Sequence, residues 1–316
     1  MILGMILAAV QDRAALERWR ESLELDLPAE VVEAGVPRIA AGGALARDGE
    51  AIALVARARF AAGDEVGARQ LLAIAQPEAA SAVFVELARA RLAIEGDELD
   101  RALRILIAPT GAEPRVRFPS IPEGWLLPGR ALVRAGRGEE AAPLLEKFVA
   151  LAPFDVEAPA AWHMLTQIAI GRRDLARAET LRAKAAESAR WQGYYRTRRL
   201  QIREHPAEPL PRLGLAELLL AANEPARARR ACNDLLAIAP GFCRGFEALG
   251  TAERRLGNTA AAKPALERAL ECDPTLAKAC LELARLLDET GEKDAAAARY
   301  RRYVELGGRE PLSTAR

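Results

Sequence analysis

Two histidines, four cysteines and a large population of arginines are the residues that could do chemistry in this 316-residue chain. His163 and His205 stand apart, and the few serines lie away from both, so no nucleophile–base pair suggests itself. His205 precedes Pro206 and marks a loop. The cysteines, Cys232, Cys243, Cys272 and Cys280, form no C-x-x-C and have no histidine nearby, which argues against zinc. Buried small apolar side chains are the simpler reading for them. Phosphate loops, dinucleotide glycine fingerprints, nucleophile elbows and H-E-x-x-H are all missing from the sequence. Carboxylate pairs such as Glu139-Glu140 fall at helix starts, where they favour the helix dipole. The chain therefore reads as non-enzymatic, with no cofactor and no metal expected.

The arginines suggest recognition. Forty arginines accompany only five lysines, yet 45 basic residues against 44 acidic ones leave a net charge of +1. Whole-molecule attraction to nucleic acid or an anionic membrane is not expected at that balance. One stretch, 172–203, carries ten basic residues against three acidic ones, with Trp191, Tyr194 and Tyr195 among them. Arginine beside stacking aromatics can bind nucleic acid. The more ordinary reading is an extended helix packed by its aromatics.

Helices must position these residues. Alanine supplies 68 residues and aromatics 5%, a composition that favours helix over strand. Residues 1–10 (MILGMILAAV) are apolar and too short to span a bilayer as a helix. They read either as the core of a signal peptide, though without the usual preceding Lys or Arg, or as the start of a first helix. Exported and cytoplasmic locations both stay open. Residues 11–48 read as a helical capping region interrupted by Gly35, Pro37, Gly42 and Gly43.

From residue 49 onward the chain repeats. Cys243–Pro274 contains Phe246, Leu249-Gly250, Gly257, Ala262, Leu266, Ala269 and Pro274. A shift of 34 residues forward brings Cys280, Leu283-Ala284, Gly291, Ala296 and Tyr300 into register. The same shift backward aligns Leu215-Ala216, Ala228, Cys232, Leu235 and Pro240. A further copy has Trp125, Gly129, Leu132, Ala141, Leu145, Phe148 and Pro153. Weaker copies start near 49, 81 and 159, the better ones near 122, 209, 243 and 277.

This pattern resembles the tetratricopeptide repeat over roughly residues 49–308. The resemblance implies an all-α, right-handed superhelical solenoid of stacked antiparallel helix pairs. Two subarrays are expected: 49–121, ending in the proline-rich loop Pro109–Pro122, and 122–308, with an extended basic segment at 186–206. Residues 309–316 are a tail. The 50-residue interval between the starts at 159 and 209 leaves room for a second helix continuing through Trp191–Glu204, or for an inserted short helix.

In the family, positions 2, 5, 9, 12 and 13 of each first helix line a concave groove. Carried onto this chain, they give Arg57, Arg130, Arg134, Arg254, Arg255 and Arg285, with Leu126, Leu213 and Leu281 among the apolar members. The Lys/Asn clamp of chaperone-binding members is not matched, because those three leucines occupy the clamp lysine position. The resemblance implies a non-catalytic scaffold that binds a protein or peptide, and the arginines suit an acidic one. A regulatory or substrate-delivery subunit of an enzyme complex is the alternative, and nucleic-acid binding through 172–203 a weaker one. Cys243 and Cys272 would lie at neighbouring ends of one helix pair, so a disulfide between them is geometrically possible.

Overall fold

The computed structural model describes residues 2–108 and 115–309, with side chains from residue 10 onward. Met1, residues 109–114 of the proline-rich loop and residues 310–316 of the tail lie outside the described residues. The chain is all-α. It divides into two compact units, Met1–Gln192 and Gly193–Arg316.

The first unit opens with α1 (Ile2–Glu24) and α2 (Pro28–Ala40), then proceeds by pairs: α3 (Gly49–Ala61) with α4 (Glu65–Ile74), and α5 (Ala82–Glu95) with α6 (Leu99–Leu106). The next pair is α7 (Glu123–Arg134) with α8 (Gly138–Leu151). Then α9 (Ala158–Gly171) pairs with α10 (Leu175–Glu204), an unbroken helix of 30 residues. The division between the units falls within α10. The second unit continues with α11 (Pro209–Ala221) and α12 (Pro225–Ile238), α13 (Cys243–Arg255) and α14 (Thr259–Cys272), and α15 (Ala277–Glu289) and α16 (Lys293–Glu305). Besides helix, the described residues hold a 3-10 turn at Ala44–Ala46 and a short antiparallel ladder. That ladder pairs β1 (Ile107–Ala108) with β2 (Arg115–Val116) across the ends of the proline-rich loop.

Local chemistry explains the ends of the helices. The carboxylate of Asp48 caps α3 by accepting the N–H groups of Glu50 and Ala51, and Asp64 caps α4 through Gly67 N–H. Pro153, Pro240 and Pro274 follow α8, α12 and α14 by two residues and bar their continuation. Between the helices of a pair, Gly63, Gly136, Gly257 and Gly291 turn with positive φ. The same left-handed turn is made by Asp97 (φ 60°), Arg173 (φ 59°) and Asn223 (φ 57°), which carry side chains. In the α5–α6 and α9–α10 turns, a glycine stands one or two residues earlier, at Gly96 and Gly171, yet does not take the left-handed role.

Packing within a pair depends on a missing side chain. A Cβ on Gly250 would sit 2.5 Å from Leu266 Cγ, and one on Gly129 2.8 Å from Leu145. Ala141, Ala262 and Ala296 are buried, as are the bulky partners Phe148 and Leu266. Ahead of the pairs, Trp19 of α1 and Val31 of α2 join the apolar cluster around Val55 of α3. The first helices are thereby fixed side by side within each unit.

Candidate functional site

Arg20 of α1, Arg57 of α3 and Arg91 of α5 line one cavity of about 220 Å³ in the first unit, and Arg130 of α7 reaches its wall at Glu157. Its walls include Leu54, Arg57, Phe84, Arg91, Glu123 and Leu126, and Asp155 and Glu157 ahead of α9 complete it. Arg91 is the hub. It donates to Glu123 Oε1 from Nε at 2.9 Å and from Nη2 at 2.6 Å, and to Glu157 Oε1 from Nη1 at 2.7 Å. Arg130 reaches the other oxygen of Glu157 at 2.5 Å. Glu157 therefore bridges two guanidiniums.

The electrostatics follow this geometry. Burial opposes the charge on Glu157, but Arg91 and Arg130 outweigh it and hold its pKa down to about 2. Burial also opposes charge on Glu123, whose pKa is nonetheless lowered by Arg91. Arg91 is desolvated as well, yet Glu123 and Glu157 raise its pKa above the ordinary guanidinium value. Asp155 goes the other way: burial raises its pKa, and among the described residues its side chain accepts only the Glu157 backbone N–H, at 2.9 Å. Arg57 is desolvated and lies near the cation of Arg91, and these lower its pKa against the opposing attraction of Glu123, Glu157 and Asp155. Among the described residues it makes no hydrogen bond and no ion pair.

The other arginines read from the sequence have internal partners. Arg134 donates to the carbonyl of Ile94 at 2.6 Å, in the last turn of α5, and lies 3.4 Å from Asp97. Arg255 makes the equivalent bond in the second unit, to Leu220 O of α11 at 2.5 Å. Both occupy position 13 of a first helix and satisfy carbonyls left free at the end of the preceding first helix. Arg254 holds Glu282 at 2.7 Å and Glu289 at 2.7 Å, while Arg285 binds the second oxygen of Glu282 at 3.0 Å. Glu282 is only 3% exposed. The apolar candidates are core residues: Leu126 is 1% exposed, Leu213 2% and Leu281 7%.

Arg91, Glu123, Asp155 and Glu157 were not legible as a site. Arg91 falls at position 11 of its copy, where the repeat pattern expects a bulky core residue, and the carboxylates belong to helix starts or to the loop before one. The recurrence of arginine on the first helices was the available signal.

The basic stretch is largely engaged. Arg172 forks onto Glu139 at 2.6 and 2.5 Å, Arg177 pairs with Glu146, and Lys184 lies 5.0 Å over the Trp162 ring. Trp191 packs on Phe154 with ring centroids 4.9 Å apart, and Arg227 lies over Tyr195. Tyr194 is exposed. His163 is exposed on α9, and His205 lies 3.9 Å from Glu208. Among the described residues, no group of three or more His, Cys, Asp or Glu side chains is placed to hold a metal ion. Nor is any described helix long and apolar enough to cross a membrane. Cys243 and Cys272 are disulfide-bonded, with Cα atoms 5.5 Å apart. Cys232 and Cys280 are buried free thiols.

No curated protein matches the chain in sequence. Solved structures similar to it include TTC0263 of Thermus thermophilus, a tetratricopeptide repeat protein, with 20% identity and a TM-score of 0.33 over 59% of this chain and 91% of that one. MamA of Desulfovibrio magneticus RS-1 has 18% identity and a TM-score of 0.31 over 59% of this chain and 94% of that one. PilF of Pseudomonas aeruginosa has 18% identity and a TM-score of 0.32 over 60% of this chain and 78% of that one. The family model for the tetratricopeptide repeat matches residues 254–311, from the end of α13 through α15 and α16. The same unit, two helices joined by a left-handed turn with a small residue packed on a bulky partner, recurs in the pairs before it, so the chain has a tetratricopeptide-like fold of successive helix pairs.

Proposed function

We propose that the chain is a non-catalytic scaffold that holds a peptide or protein partner on the first helices of its N-terminal unit, at the cavity beside Arg57. Arrays of this repeat serve as protein-interaction scaffolds. The carrying observation is that Arg57, unlike Arg91, Arg130 and Arg134, makes no hydrogen bond or ion pair among the described residues, in a cavity lined by both apolar and charged side chains. A guanidinium withdrawn from water without a partner is costly, and a ligand that supplies an acceptor offsets that cost. Leu126 belongs to this site as part of its floor. Arg130 and Arg134 support the site by holding Glu157 and the end of α5. In the second unit, Arg254, Arg255 and Arg285, with Leu213 and Leu281, hold the helices together.

Filling the cavity tests this reading. Ala53 lines it and is 7% exposed. Ala53→Phe should occupy the space that a ligand side chain would enter and weaken peptide binding at least tenfold, at a stability cost of about 1–3 kcal/mol because Ala53 also belongs to the core around Val85 and Leu92. Unchanged binding with an intact fold would move the site elsewhere.

A further inference from the structure

The cavity is acidic when counted as a whole. Five carboxylates and three guanidiniums line it. Arg20 takes Glu50 at 2.5 Å, and Arg91 takes Glu123 and Glu157. A partner with several acidic residues would meet net negative walls, against the expectation that a groove rich in arginine suits an acidic ligand.

Two groups remain underused. Arg57 has five N–H donors and makes no hydrogen bond or ion pair among the described residues, although Glu123, Glu157 and Asp155 are near enough to favour its charge. Asp155 has spent one oxygen on the Glu157 N–H and keeps acceptor capacity. Between these polar groups the walls are apolar: Leu54, Phe84, Ala88 and Leu126. A volume of about 220 Å³ lies below the roughly 300 Å³ where small-molecule and cofactor sites begin. It suits one side chain and the peptide groups beside it. A single donor site, a single acceptor site and an apolar floor are what an extended main chain presents in reverse.

We infer that the cavity grips an uncharged, extended peptide segment by its backbone, Arg57 donating to a main-chain carbonyl and Asp155 accepting a main-chain N–H, with one apolar side chain against Phe84 and Leu126. This rests on the groove reading above. It replaces an acidic ligand with a neutral one and makes specificity depend on the apolar residue.

The test uses the full chain and a phage-displayed random dodecapeptide library. Recovered sequences are synthesised with capped ends and titrated at low and high salt. The inference expects enrichment of an apolar residue without enrichment of Asp or Glu, and affinities that change less than twofold with salt. Arg57→Met should lose at least tenfold without lowering the melting temperature, since it breaks no hydrogen bond or ion pair among the described residues. Arg57→Gln, which keeps a donor, should lose threefold or less, and Asp155→Ala should lose at least tenfold. An Asp- or Glu-bearing consensus, steep salt dependence and equal losses for Arg57→Met and Arg57→Gln would overturn the neutral backbone grip. Blockage by Ala53→Phe would still uphold the groove in that case. Peptides that bind Ala53→Phe as well as the unaltered chain, or no enriched peptide at all, would overturn both readings.

Discussion

Arg57 in the first unit and Arg254 in the second are the same residue type on the same kind of helix, and they do different things. Arg254 is clamped between Glu282 and Glu289. Arg57 faces a cavity and makes no hydrogen bond or ion pair among the described residues. The difference lies in what the next helices offer. α15 brings two carboxylates to Arg254. In the first unit, Arg91 claims Glu123 and Glu157 before Arg57 can use either. An arginine on a repeat's inner edge is therefore a structural staple by default, and becomes available for a ligand only where a competitor has taken its carboxylates.

The largest test of that contrast replaces each arginine by methionine, which keeps the stem and removes the charge. Arg254→Met leaves Glu282 buried with Arg285 alone, and breaking a buried pair costs about 3–5 kcal/mol. The low end is expected because Arg285 remains. Arg57→Met breaks no hydrogen bond or ion pair among the described residues and leaves Glu123 held by Arg91, so it should change stability by less than about 0.5 kcal/mol. Denaturant unfolding of the two variants measures both values. Equal losses would mean that Arg57 is a staple too.

The disulfide separates the units a second way, since all four cysteines belong to the second. Cys243 and Cys272 are 29 residues apart in sequence, and a closed loop of that size contributes roughly 3–4 kcal/mol. Reduction should weaken protection from hydrogen exchange over 243–272 and leave 49–171 unchanged. Native, unreduced protein should show no fast-reacting thiol, because Cys232 and Cys280 are buried and burial raises the pKa of Cys232 to about 12. Four thiols titrating without reductant would remove the bridge.

Acid should find the first unit through Glu157. Its folded pKa of about 2 lies below the ordinary 4.5, so the folded state binds its proton less readily than the unfolded chain does. The resulting stabilisation is complete above about pH 4.5 and is lost as pH falls through 2. It amounts to roughly 3 kcal/mol at neutral pH. Glu157→Gln should remove it and flatten the dependence of stability on pH between 5 and 2. A variant with the same acid slope as the unaltered chain would show that Arg91 and Arg130 do not hold this carboxylate.

Much of the scaffold was legible because it depends on residues whose physics is local. Gly136, Gly257 and Gly291 could be read as turns, Pro153, Pro240 and Pro274 as stops, and Ala141 and Ala262 as close contacts from their types and offsets alone. The pairing of the arginines could not be read this way. Whether Arg130 meets solvent or Glu157, 27 residues later, is decided by where a loop delivers a side chain, and no periodicity records that. Turn residues without glycine were hidden for a related reason: tertiary packing imposes the left-handed conformation on whatever residue stands there.

Arg173 makes that last point measurable. In the second unit, Gly257 takes the turn between α13 and α14 at φ 77° without a Cβ to clash. In the first, Arg173 takes the corresponding turn before α10 at φ 59°, and its side chain is exposed. Left-handed backbone costs a residue with a Cβ roughly 1–2 kcal/mol. Glycine removes that cost but adds about 0.5–1 kcal/mol of unfolded-state entropy. Arg173→Gly should therefore stabilise the chain by about 0.5–1 kcal/mol, and Gly257→Arg should destabilise it by a similar amount. Both follow from chemical unfolding midpoints at constant slope. Loss of stability in Arg173→Gly would mean that the exposed arginine contributes more to this turn than its backbone strain subtracts.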